Sequence, residues 1–164
     1  MKLAWLLVIA AACGSDDVDL TGTYMVTSDV GSSPCGTDAP ITGAPAYLVF
    51  QKMNLLGHDY YVFEGCPDAT GANCAEGDAF AAFFEPVSSG WSNTETESSN
   101  AGTQCFLGYI ASSALLHGTD LEIDGTEYQD MVCIPEAQCT TDEAGKRGKT
   151  MPCFQHEHIA ATKQ

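Results

Sequence analysis

Short runs rich in apolar, β-branched and aromatic residues, bounded by turn residues, recur along this chain, and the clearest of them alternates apolar and polar positions with a period of two, the spacing of a strand with one face toward a core. Leu121 and Ile123 alternate with Asp120, Glu122 and Asp124. Across residues 104 to 117, Phe106 and Ile110 fall on one face, Leu107 and Tyr109 on the other, as two strand-like stretches. Leu20 to Thr27 is rich in β-branched and aromatic residues and ends in the turn-forming Gly31-Ser32-Ser33-Pro34. Tyr47 to Met53 and Asp59 to Glu64 predict a hairpin through Asn54-Leu55-Leu56-Gly57-His58, and Asp124-Gly125 predicts a tight turn into Thr126-Glu127-Tyr128. Met131 to Ile134 and Cys153 to Thr162 complete the strand candidates. Ala79 to Phe84 is open to a helix, because Phe80, Phe83 and Phe84 sit at helical spacing between Asp78 and Pro86. No stretch sustains a helical period, and no internal repeat is visible. The pattern predicts a mainly β domain, a small antiparallel barrel or sandwich with disulfide-stapled loops and at most one short helix.

The first dozen residues follow another logic. Met1 and Lys2 precede an apolar run from Leu3 to Ala10 and the small residues Ala11 and Ala12, the layout of an export signal and too short to span a bilayer. Ala10-Ala11-Ala12-Cys13 resembles the lipobox of bacterial lipoproteins, which implies a diacylglycerol thioether on Cys13 and membrane attachment through that lipid; Ala10-x-Ala12 equally satisfies the A-x-A cleavage rule of a secreted protein. Both readings cut before Cys13. Gly14 after Cys13 resembles the sorting pattern of outer-membrane lipoproteins, so the expected location is the cell envelope, with secretion as the alternative. The expected organisation is a signal peptide over 1–12, a tether over 13–20 and a single β domain over 21–164.

Removal of 1–12 leaves five basic residues against 22 acidic ones, a net charge of −17 where the full chain has −16. Such a surface repels nucleic acid and anionic headgroups. Lys146, Arg147 and Lys149 cluster in a glycine-flanked segment, leaving the rest of the surface acidic. Seven cysteines follow Cys13: Cys35, Cys66, Cys74, Cys105, Cys133, Cys139 and Cys153. In an exported chain they are expected to be oxidised, with one left over if Cys13 carries lipid, or all eight paired if it does not. Sequence neighbours suggest Cys66 with Cys74 and Cys133 with Cys139; the leftover thiol is expected to be buried.

Leu20-Thr21-Gly22-Thr23-Tyr24 resembles the first strand of lipocalin-like barrels, where a Gly-x-aromatic step closes the barrel's bottom; the resemblance places Gly22 and Tyr24 at those positions. Candidate chemistry is sparse. His156 and His158 point to one face of a strand, a pair suited to zinc or copper with a further ligand such as His58 or His117. Asp120-x-Glu122-x-Asp124-Gly125 has the look of a calcium loop but has Met131 at the closing position. No catalytic signature motif occurs. Tyr47, Phe50, Tyr61, Phe63, Phe83 and Tyr109 are core or cavity-lining candidates. The expectation is a non-enzymatic, lipid-anchored extracytoplasmic domain offering a binding surface or small apolar cavity to a ligand or partner protein. The alternatives are a metal-binding protein using His156 and His158, and a secreted, disulfide-stapled inhibitor or effector.

Overall fold

A computed structural model describes residues 19–76 and 83–164. The elements run β1 (Gly22–Ser32), β2 (Ala39–Pro40), β3 (Tyr47–Leu55), β4 (His58–Cys66), β5 (Ala75–Glu76), β6 (Glu85–Val87), β7 (Gly90–Ala101), β8 (Gln104–His117), β9 (Asp120–Val132), α1 (Thr141–Arg147) and β10 (Cys153–Lys163), with short 3-10 turns on either side of α1. Neighbouring strands pair antiparallel in an up-and-down meander, and β10 returns to pair with β1. Reciprocal backbone hydrogen bonds between Tyr61 and Phe84, at 2.9 and 2.8 Å, join β4 to the segment entering β6 and nearly close an eight-strand barrel. β2 and β5 are short additions on β1 and β4. Of the mainly β barrel or sandwich expected, with stapled loops and at most one short helix, the observed architecture is the barrel, with one short helix.

Buried apolar residues of β1, β3, β4, β9 and β10, with Trp91 of β7 and Ala114 of β8, point inward and fill one end of the barrel. Leu20 and Tyr24 are fully buried there, and the Tyr24 hydroxyl donates to the Leu20 carbonyl at 2.8 Å. Phe50 meets Tyr24 edge-on at 5.6 Å and Phe63 at 5.1 Å, contacts that each add about 0.5–1.5 kcal/mol beyond burial. The Lys163 ammonium sits 5.5 Å from the Tyr24 ring centre, and Gly22 leaves room for the Lys163 side chain, which a Cβ there would meet at 2.9 Å. Gly22 and Tyr24 thus take part in closing this end. The outer face of β8 carries a second cluster, in which Cys105 and Leu107 pack with Ala144 of α1 and Met151.

Several expectations give way to the tertiary structure. Residues 104 to 117 form one strand rather than two stretches. Asp124-Gly125 does not turn: Gly125 pairs with Ser112 on one side and Glu157 on the other, so a ladder satisfied on both edges overrides the local turn preference. The helix lies at Thr141–Arg147, where the Thr140 side chain accepts the Glu143 amide at 3.2 Å, and it contains Lys146 and Arg147 of the basic cluster. Ala79 to Ala82 of the alternative helix lie outside the described residues, while Phe84 is extended. The signal segment, Cys13 and all but the end of the tether also lie outside them. Cys66 bonds Cys74 as its neighbourhood suggested. Cys139 does not pair with Cys133: β8 brings Cys105 to it, and Cys35 joins Cys153. Cys133 is free and exposed, not buried, because it follows β9 outside the ladder.

Candidate functional site: a cavity at the open end of the barrel

Opposite the Leu20–Tyr24 plug, the barrel holds a cavity of about 550 Å³. Leu48, Phe63, Ile123 and Ile159 from four strands form its apolar floor. Residues 41–46, between β2 and β3, form one wall. The Ile41 amide donates to the Asp29 carbonyl at 3.0 Å, the Val26 amide to the Ala46 carbonyl at 2.9 Å and the Ala46 amide to the Cys66 carbonyl at 3.1 Å. Gly31 permits this wall to lie close, since a Cβ there would meet the His156 carbonyl at 2.5 Å and Ile41 at 3.2 Å. The Cys35–Cys153 and Cys66–Cys74 bridges anchor the surrounding loops.

One acidic pair faces this apolar space. The register of β1 on β10 shifts between Val26 and Ser28. Tyr24 and Val26 point inward before that bulge; after it Asp29, not Ser28 or Val30, takes the inward position opposite Ile159. Asp29 is 9 % exposed and its Oδ1 is buried without a hydrogen-bond partner. Burial pushes its carboxyl pKa above the usual carboxylate range, partly offset by a hydrogen bond with Glu157, which also lines the cavity. A hydrogen bond between two carboxyl groups requires a proton on one of them. Further toward the open end the inward positions stay polar: Asn93 donates to Glu95 at 2.9 Å, and the Gln129 side chain donates to Glu127.

Of the candidate residues read from the sequence, Phe63 and the disulfide-bonded Cys66 line the cavity, and the others fall elsewhere. Phe50 and Tyr61 are core, Tyr109 packs in the outer cluster under α1, Tyr47 is half-buried and Phe83 is exposed. His156 and His158 do share the outer face of β10. The His158 Nδ1 lies 2.9 Å from Asp124, and the His156 Nδ1 lies 3.1 Å from Asp38, whose carboxyl is held below its usual range by hydrogen bonds from Ser32 and then His156. Neither His58, in the β3–β4 hairpin, nor His117, at the end of β8, pairs in register with them. Among the described residues no group of three or more His, Cys, Asp or Glu is arranged to hold a metal ion. Asp120, Glu122 and Asp124 form an exposed strand face rather than a loop. Arg147 is engaged by Glu143 at 3.0 Å and Asp130 at 3.6 Å. Sequence reasoning missed Asp29 and Glu157; the nearest signal was the break in alternation after Val26.

No family model matches the chain, and no curated protein and no solved structure matches it.

Proposed function

We propose that this chain is a non-enzymatic, extracytoplasmic binding protein, anchored through a lipid on Cys13, whose barrel mouth takes a small, largely apolar ligand. The observation that carries the reading is the cavity of about 550 Å³, apolar at its floor and polar at one wall, within the size and chemistry of small-molecule sites. Three disulfides in the barrel and its loops support an oxidising compartment. Leu20, the first buried residue of the barrel, lies at the closed end, so the anchor of this proposal would join the barrel at the end opposite the mouth. The exposed Leu55 and Leu56 of the β3–β4 hairpin lie toward that closed end as well.

Titration with the neutral apolar fluorophore N-phenyl-1-naphthylamine tests the cavity. Saturable, blue-shifted emission at one site per chain is expected, abolished by Ala44→Trp, which fills the space beside the 41–46 wall. Unsaturable emission, or binding indifferent to Ala44→Trp, contradicts the proposal. Intact mass of the natively exported protein, before and after reduction and alkylation, tests the anchor: acyl mass on Cys13 is expected, and an unacylated Cys13 contradicts it.

A further inference from the structure

We infer that the cavity's ligand is an amphiphilic organic cation, with its apolar body on the Leu48, Phe63, Ile123 and Ile159 floor and an N–H-bearing ammonium group at Asp29 and Glu157. This deepens the small-ligand reading and rests on it.

The bulge after Val26 spends an irregularity in the β1–β10 ladder to turn a carboxyl group inward at a position that alternation would give to an uncharged residue. Asp29 there is nine-tenths buried, and its Oδ1 has no partner, an arrangement that is unfavourable until a donor reaches it. Its other interaction is with a second carboxyl group, Glu157. A proton shared between the two leaves one negative charge and spare acceptor capacity beside an apolar floor. No Lys, Arg or His occurs among the described residues that line the cavity. Beyond it, the charged side chains sharing the inner face toward the open end are again carboxylates, Glu95, Glu97 and Glu127. A buried negative charge without a cationic neighbour is costly, and the partner that relieves it supplies positive charge and N–H donors together. An apolar anion meets repulsion here, and an apolar alcohol supplies one donor but no charge.

The experiment is isothermal titration of the full-length protein, bridges intact, with n-octylammonium, n-octanol and n-octanoate at pH 7 and about 0.15 M salt, repeated at about 0.5 M salt where surface charges are screened within a few ångströms. Octylammonium is expected to bind about 10- to 100-fold more tightly than octanol, the worth of a charge-assisted hydrogen bond, with octanoate weakest and the order kept at the higher salt. The double variant Asp29→Asn, Glu157→Gln, with the single Glu157→Gln as a second variant should the double fail to fold, is expected to erase the preference for octylammonium over octanol. If octanol binds as tightly as octylammonium, or if the preference survives in the folded variant or vanishes at high salt, the cation inference is overturned while the apolar cavity stands. If none of the three binds, the small-ligand reading falls and takes the inference with it.

Discussion

Replacing Cys35 and Cys153 together with alanine opens the longest covalent loop in the barrel, and its consequence can be worked from sequence separation. The three bridges close loops with separations of 118, 34 and 8 residues, for Cys35–Cys153, Cys105–Cys139 and Cys66–Cys74. A chain-entropy account assigns them about 5, about 4 and about 2.5 kcal/mol through restriction of the unfolded chain. For a domain of this size the first loss lowers the melting temperature by about 10–20 °C. Urea unfolding of the three double-alanine variants is expected to give that order. Function separates them differently. Cys35–Cys153 fastens the segment leading to the 41–46 wall, and Cys66 itself lines the cavity, whereas Cys105–Cys139 lies in the outer cluster under α1. Loss of either of the first two should weaken fluorophore binding, and loss of the third should leave it unchanged. A larger stability loss in the Cys66–Cys74 variant than in the Cys35–Cys153 variant, or loss of binding in the Cys105–Cys139 variant alone, would refute this assignment of the bridges.

Other perturbations probe the remaining links. Tyr24→Phe should cost about 1–2 kcal/mol in urea unfolding by orphaning the Leu20 carbonyl, and Tyr24→Ala about 3–5 kcal/mol by also emptying the plug; equal small losses would show that Tyr24 does not close the barrel. Because burial raises the Asp29 carboxyl pKa in the fold, the folded protein holds the proton more tightly than the unfolded chain, and stability falls as pH rises from the unfolded pKa through the folded one. Asp29→Asn should therefore gain about 1–2 kcal/mol on the native protein at pH 8, a gain that shrinks toward pH 4; a loss of stability at pH 8 would contradict the burial argument. Cys133 should take up iodoacetamide in the native, unreduced protein, with peptide mapping locating the adduct; a protected Cys133 would contradict its exposure. Thr140→Ala should cost about 1 kcal/mol through loss of the α1 cap, read by thermal melting, and an unchanged melt would mean that the cap contributes nothing.

Much of the barrel was legible because strand patterning is local. Phe106 and Ile110 against Leu107 and Tyr109, and Leu121 with Ile123, take the faces that alternation assigned, and the β3–β4 hairpin turns within the expected residues. The helix left a readable mark too, in Thr140-Thr141-Asp142-Glu143, but seven residues are too few to display a helical period. The Asp124-Gly125 turn misled because a dipeptide preference cannot register that strands on both sides are long enough to continue the ladder. Cysteine neighbourhood succeeded for Cys66–Cys74, whose loop is closed locally, and failed for Cys139, whose partner arrives on a distant strand.

The candidate site shows the division most clearly. The sequence by itself determined a period-two chain able to bury one face of each strand, and an acidic composition that disfavours anionic partners. Only the tertiary structure decided that Asp29 faces inward, that Glu157 meets it, and that the loop through Ile41 and Ala46 walls the space above Leu48 and Phe63. Alternation is a property of neighbouring residues. The phase of a strand beyond a bulge is set by its register against another strand far along the chain, and one residue of slip exchanges the faces.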